Sequence, residues 1–138
     1  RGERVSTPQI EAVNDDAGII GFPVADDALA YHWSPSSRRK SIQAHGLRIR
    51  QASAHAPIRY PMICLCLDPL DAWSMSGGTF LTDEPAWDLW AVYAGDLRHG
   101  FEVIPTDDRR IRELRVYRSI PAAAVRYIAT REARTEQP

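Results

Sequence analysis

Residues 29–47, LAYHWSPSSRRKSIQAHGL, decide the fold of this chain. At the start of the stretch Leu29, Tyr31 and Trp33 alternate with smaller or polar residues, and this period of two predicts a β-strand. The same alternation turns His32 away from the aromatic side of that strand. We therefore expect the row Leu29, Tyr31 and Trp33 to face the core and His32 to lie near the end of the strand.

A short helix is predicted directly after this strand. Ser34 is a suitable N-cap residue, and Pro35 suits the first helical position. The helix is expected to run to about His45 and to end at Gly46, because glycine readily adopts a positive φ at a helix C-terminus. A strand followed at once by a capped helix places the imidazole of His32 at the mouth of a sheet.

The rest of the chain alternates further strands with one more short helix. Met62–Leu67 is a nearly continuous apolar run between prolines, which favours a central strand. Asp68-Pro69 then opens a helix that extends through Met75. Further strands are expected at Leu47–Gln51, Leu89–Tyr93, Phe101–Ile104, Glu113–Tyr117 and Val125–Thr130. This strand-rich pattern with two or three short helices predicts an α+β fold.

Composition and length set limits on the function. The chain has 138 residues and a formal net charge of -1, so we expect one domain and no overall charge that favours nucleic acid or an anionic membrane. No apolar run approaches the length that spans a bilayer. We expect an N-terminal arm at 1–27, with a short helix possible at Gln9–Val13, a domain at 28–132 and a tail at 133–138.

The two cysteines, Cys64 and Cys66, lie two residues apart in the predicted central strand. Residues at this spacing share a face of a strand and point the same way, so a disulfide between them is disfavoured. A metal site would need further ligands at suitable spacing, and the sequence offers none nearby. We interpret the cysteines as small core residues with free thiols, which favours a reducing compartment.

Three residue types carry the candidate chemistry, and each has a structural alternative. His32 is either a satisfied strand residue or a group at the edge of a cleft. Glu113 is either an exposed carboxylate paired with neighbouring arginines or a carboxylate that stabilises developing positive charge in a pocket. Trp73 is either core packing or an aromatic platform for a planar ligand, and Tyr60 and Tyr93 are alternative platforms.

The order of these elements resembles the ADP-ribosyltransferase fold of the His–aromatic–Glu lineage, which includes toxin-like bacterial and phage proteins. The resemblance covers about Leu29 to Arg131, from the aromatic-His strand and the Gly46-Leu47 helix end to the late strand with Glu113. It implies a split β core with short flanking helices around a cleft that holds NAD as a substrate. Two departures are Trp33, where a glycine often follows the histidine, and a tryptophan where the helix usually carries a tyrosine.

The resemblance also implies a role for each candidate residue. His32 would contact the adenosine ribose, and the backbone of Trp33 would serve the nicotinamide amide. Trp73, or else Tyr60, would stack on nicotinamide. Glu113 would hydrogen-bond the nicotinamide ribose and stabilise an oxocarbenium-like transition state. We expect His32 and Glu113 to face a common cavity from neighbouring strands.

The expected function is therefore an NAD-dependent ADP-ribosyltransferase whose acceptor the sequence does not identify, either a macromolecule such as a protein or nucleic acid or a small molecule. An NAD glycohydrolase, with water as acceptor, is the first alternative. A catalytically inactive module that binds a nucleotide or a partner on the same fold is the second. We expect no metal and no membrane partner, and a location in the cytoplasm or delivery into the cytoplasm of a target cell.

Overall fold

The structure is a computed structural model that describes residues 9–11, 23–49, 62–76, 84–97, 101–105 and 112–132. The strands are β1 Gln9–Glu11, β2 Pro23–Ala25, β3 Leu29–Pro35, β4 Ile63–Cys66, β5 Ala86–Tyr93, β6 Phe101–Pro105, β7 Arg112–Val116 and β8 Arg126–Glu132. The α-helices are α1 Arg39–His45 and α2 Pro69–Ser76, and 3-10 turns cover Ser36–Arg38, Ala94–Leu97 and Ala122–Ala124. The fold is α+β, as predicted.

One six-stranded antiparallel sheet forms the body of the domain, in the order β6-β7-β4-β3-β5-β8. β1 and β2 pair separately as a short antiparallel ribbon. β4 lies in the middle of the sheet, which confirms the central strand predicted from its continuous apolar run. A strand that is covered on both faces carries few polar side chains. α2 begins as expected, since the Asp68 carboxylate accepts hydrogen bonds from the backbone N–H groups of Leu70 and Asp71.

The sheet is least bonded at its centre, between β3 and β4. β3 pairs with β5 along its whole length, from Leu29 to Pro35. With β4, in contrast, the described pairing is the single pair Tyr31 and Cys66. Past that pair, His32 Nδ1 lies 2.9 Å from the carbonyl oxygen of Cys64, so a side chain bonds where a backbone ladder would continue. We call this boundary between β3 and β4 the seam.

The larger hydrophobic cluster covers the sheet face to which Ala30 belongs. Residues directly opposite each other on antiparallel strands share a face, and Ala30 lies opposite Val92, while Leu65 lies opposite Leu114. All four are wholly buried. Ile42 of α1 and the bridged pair Leu47 and Ile120 complete this cluster.

The predicted core-facing row of β3 is therefore on the other face. Leu29, Tyr31 and Trp33 are half-buried there, and Trp33 contacts α2, because its Nε1 donates to the carbonyl of Pro69 at 2.9 Å. The expectation was wrong because the main hydrophobic cluster lies on the opposite face, with Ala30. Alternation identifies two faces of a strand but does not tell which face the larger core covers.

The start of α1 also differs from its prediction, whereas its end agrees. β3 continues through Ser34 and Pro35, since Ser34 is buried and lies opposite Asp88 in the β5 ladder. The chain then makes a 3-10 turn, and α1 begins only at Arg39. The helix ends at His45, and Gly46 takes a φ of 78°. Ladder pairing with β5 thus prevails over the local capping signal.

Three predictions fall at the margins of the described residues. The strand predicted at Leu47–Gln51 is reduced to one bridge between Leu47 and Ile120, and its last two residues lie outside the described part. Residues 9–11 form a strand rather than a helix. Val24 of β2 packs in the main core. The domain boundary at residue 27 stays a prediction, and the tail at 133–138 lies outside the described residues.

Candidate functional site

A cavity of about 590 Å³ opens beside the seam. Its size is typical of small-molecule sites. The end of β3, α1, the segment that follows α1 and the start of β4 form its walls. The lining residues are His32, Ser34, Arg38, Ser41, Ile42, Gly46, Leu47, Arg48, Ile49, Met62, Ile63 and Cys64. We call this space the His32 cavity.

His32 is a neutral hydrogen-bonding group in this cavity. Burial lowers the pKa of its imidazole, and the hydrogen bond to the Cys64 carbonyl offsets this only in part. Because a carbonyl oxygen only accepts hydrogen bonds, Nδ1 must carry the proton at this 2.9 Å contact. The neutral ring then has Nε2 as an acceptor. A ligand hydroxyl, such as that of a ribose, is the natural donor to such a nitrogen.

The polar lining of the cavity favours an anion. Two of the lining residues, Arg38 and Arg48, carry guanidinium groups, and two others, Ser34 and Ser41, carry hydroxyls. The described lining contains no carboxylate. Guanidinium groups bind phosphate oxygens with two parallel hydrogen bonds, which makes arginine a preferred phosphate ligand. The His32 cavity therefore combines a hydroxyl acceptor with groups that suit phosphates.

Glu113 is a buried carboxylate next to the two cysteines. It lies on β7 opposite Cys66 of β4, with only 2% of its surface exposed. Arg115 Nε lies 3.2 Å from Glu113 Oε1. Burial, together with a hydrogen bond to Glu113, raises the pKa of the Cys64 thiol to about 12, so this thiol is a proton donor and not a nucleophile. Cys64 also lines the His32 cavity. It therefore lies between that cavity and Glu113.

The prediction that His32 and Glu113 face one cavity from neighbouring strands was wrong. β4 lies between β3 and β7. Tyr31, Cys66 and Glu113 form one cross-strand row and share a face, and His32 is one residue further along β3. His32 and Glu113 therefore point to opposite faces of the sheet. A sequence fixes side-chain alternation within a strand, whereas strand order and register depend on pairing partners far along the chain.

Trp33 and Trp73, two of the predicted aromatic residues, lie on the Glu113 face. The rings of Trp33 and Trp73 meet edge to face at 5.2 Å, and those of Trp73 and Trp87 at 5.7 Å. The Arg131 guanidinium lies 4.2 Å from the centre of the Trp73 ring. Trp73 thus packs in an aromatic cluster, and its stacking on nicotinamide stays a prediction. Tyr60 lies outside the described residues.

The sequence shows a cluster of basic residues around α1 that includes Arg38 and Arg48, but no role was predicted for them. Asp88 was not identified from the sequence. It is a lone carboxylate in the otherwise apolar strand β5, which is the kind of exception that marks a paired buried group.

Compared with models of known protein families and with curated proteins, the sequence matches none. Within the described residues, no helix is both long and apolar enough to cross a membrane. The same residues contain no group of three or more His, Cys, Asp or Glu side chains placed to hold a metal ion.

Proposed function

We propose that this chain is an NAD-dependent ADP-ribosyltransferase that transfers ADP-ribose from NAD to a protein or nucleic acid acceptor, in the cytoplasm of its own cell or of a target cell. The observation that carries the proposal is His32, bonded through its ring to the Cys64 carbonyl, beside a cavity lined by two arginines. The sparse pairing between β3 and β4 supports it further, since a split β core is what the resemblance to these transferases implies.

In this proposal the adenosine half of NAD occupies the His32 cavity. The ribose hydroxyl donates a hydrogen bond to Nε2 of His32. The other ring nitrogen, Nδ1, donates to the backbone carbonyl of Cys64. The pyrophosphate lies between Arg38 and Arg48, whose charges offset its two negative charges. The cavity thereby distinguishes a nucleotide from a nucleoside, because the latter leaves both guanidinium groups without an anionic ligand.

The nicotinamide half enters the seam toward Glu113. Glu113 is on the opposite sheet face, so the ligand must pass beside Cys64, where the hydrogen bond of His32 to the Cys64 carbonyl takes the place of a backbone pair between β3 and β4. Breaking the bond between the ribose carbon and the nicotinamide nitrogen sends the electron pair to nicotinamide and leaves positive charge on the ribose. A carboxylate next to that ribose lowers the barrier, and an acceptor nucleophile then forms the new bond to the same carbon.

A second candidate function is a module that binds a nucleotide without turning it over. The register favours it, because His32 and Glu113 lie on opposite faces of the sheet. In that case the His32 cavity holds the ligand, and Glu113 has a structural role with Arg115 and Cys64. The two candidates share a binding site and differ in whether bound NAD is cleaved.

The replacement Glu113→Gln separates these functions. The substitution keeps the side-chain volume and one oxygen but removes the charge, so NAD affinity should stay within about twofold. Loss of one preorganised electrostatic contact should slow nicotinamide release by about 10²–10³-fold at saturating NAD. Nicotinamide is measured by chromatography and NAD affinity by calorimetry. Glu132→Gln, an exposed carboxylate at the end of β8, is the matched control and should release nicotinamide at the wild-type rate.

Each outcome points to one function. Release that transfers the label of radiolabelled NAD to an acceptor supports the transferase, whereas release of free ADP-ribose alone supports the glycohydrolase. NAD binding without release by the wild-type protein supports the binding module. Equal rates of nicotinamide release by wild type and Glu113→Gln would show that Glu113 is not part of the catalytic site. A wild-type protein that does not bind NAD refutes the proposal.

A further inference from the structure

Asp88 is a wholly buried carboxylate at the start of β5, and it does not line the His32 cavity. Arg39 Nε donates to Asp88 Oδ2 at 2.8 Å, and Arg39 Nη2 donates to Oδ1 at 2.8 Å. Ser36 Oγ donates to Oδ1 at 2.7 Å, and Thr130 Oγ1 donates to the same oxygen at 2.8 Å. We call this group of four residues the Asp88 clamp.

Two members of the clamp lie on either side of a cavity residue. Ser36 begins the 3-10 turn after β3, and Arg39 is the first residue of α1. Arg38, which lies between them, lines the His32 cavity. Both neighbours are therefore tied to one carboxylate on β5, and this fixes the backbone from which the Arg38 side chain extends.

The clamp needs a charged acceptor. A carboxylate accepts the two parallel hydrogen bonds of a guanidinium, whereas an amide of the same shape has one acceptor oxygen and presents donors in place of the other. Hydrogen bonds from Arg39, and also from Ser36 and Thr130, hold the pKa of Asp88 below its usual range. Because the Asp88 side chain has no exposed surface, removing Arg39 would leave a buried charge with two fewer donors, which is costly.

We infer that Asp88 is a positioning residue, which acts through Ser36 and Arg39 to hold Arg38 toward the phosphates of a bound nucleotide. The inference rests on the proposed function, since it concerns the same cavity. Arg38 is the group that would touch the ligand, and Asp88 touches only protein. Loss of the clamp should therefore weaken recognition of the phosphates and leave recognition of the nucleoside.

The test compares Asp88→Asn with the wild-type protein in two measurements. Hydrogen exchange of the backbone amides at 36–45, without ligand, should become at least tenfold faster, while exchange in β4 and β7 stays unchanged. By calorimetry, ADP should bind about tenfold more weakly and adenosine within twofold of wild type. Arg39→Gln should reproduce both effects. Because the Arg39 side chain is partly exposed, this variant replaces Asp88→Asn in the test if Asp88→Asn does not fold.

Two further variants serve as controls. Arg38→Gln should lose ADP affinity to a similar degree with unchanged exchange at 36–45, because it removes the ligand group and leaves the clamp. Lys40→Gln, on the exposed side of α1, should change neither measurement. In the double variant Asp88→Asn/Arg39→Gln, the loss of ADP affinity should be close to that of either single variant, since both act through one interaction.

The alternative outcomes separate this inference from the proposed function. Unchanged exchange at 36–45 in Asp88→Asn overturns the clamp, whatever binds in the cavity. Faster exchange with equal losses of ADP and adenosine affinity indicates a general structural role and overturns the positioning of Arg38. In both cases a wild-type protein that binds ADP and NAD keeps the proposed function. If the wild-type protein binds neither ADP nor NAD, both the proposed function and this inference are refuted.

Discussion

Replacing Gly46 with alanine tests how tightly the end of α1 is held against the segment after β7. Gly46 has φ 78° and ψ -164°, a region that residues other than glycine rarely occupy. A Cβ atom there would lie 2.0 Å from the carbonyl oxygen of Ile120 and 2.7 Å from the backbone nitrogen of Ala122. Both contacts are with backbone, so no side-chain rotation relieves them.

The expected cost follows from two consequences of that geometry. Backbone strain of this kind costs about 1–3 kcal/mol. Moving the segments apart also breaks the two hydrogen bonds between Leu47 and Ile120, which are 2.9 and 2.8 Å long, at about 0.5–1.5 kcal/mol each. We expect Gly46→Ala to lower the free energy of unfolding by about 2–6 kcal/mol, a large part of the total of about 5–15 kcal/mol that is typical of a domain.

Urea denaturation followed by circular dichroism measures this loss. Gly95→Ala is the matched control, because its Cβ would lie 3.0–3.2 Å from atoms of Asp26 and its φ is not in the positive region. We expect it to cost about 1 kcal/mol. If Gly46→Ala unfolds within about 1 kcal/mol of wild type, the close approach of Gly46 to Ile120 is not a feature of the protein in solution.

Two further predictions concern β3. Trp33→Ala should lower the free energy of unfolding by about 2–4 kcal/mol, below the upper range for a fully buried tryptophan, because Trp33 is half-buried. Trp33→Phe removes part of the ring as well as the N–H donated to Pro69, and it should cost less, about 1–2 kcal/mol. Equal melting temperatures for both variants would contradict this. The lowered pKa of His32, which is half-buried, gives a contribution to stability that is complete above about pH 6.5, the usual histidine value. This contribution is lost as the pH falls from there through the lower pKa of the folded state. Unfolding midpoints at pH 7, 6 and 5 should therefore fall less steeply in His32→Asn than in wild type, and parallel profiles would show that His32 is not desolvated.

Much of the fold could be predicted from local sequence patterns. The apolar run around Leu65 identified the central strand, and Asp68 identified the start of α2, because both signals depend on neighbouring residues. Alternation correctly separated His32 from Tyr31 and Trp33. The start of α1 was wrong because Ser34 continues the ladder with β5, a long-range pairing that outweighs a local capping preference.

The candidate site was harder to predict, since it depends on contacts between distant parts of the chain. His32 and Glu113 lie on strands that both pair with β4, β3 on one side and β7 on the other. The register of these two pairings decides whether the two side chains share a face of the sheet. Asp88 is 49 residues from Arg39 in sequence. No periodicity links them, and composition identifies such a residue only as an exception within an apolar strand.

The sparse pairing at the seam has a consequence for cooperativity. On one side, β6, β7 and β4 are joined by continuous ladders. On the other side, β3, β5 and β8 are also joined by ladders, and the β5–β8 ladder has one irregularity between Leu89 and Trp90. Between these two blocks, the described backbone pairing is that of Tyr31 with Cys66. Backbone amides should therefore exchange in two groups with different opening free energies. A ligand bound across both blocks would stabilise each of them through the other, so that the domain opens as a single unit only when the ligand is present.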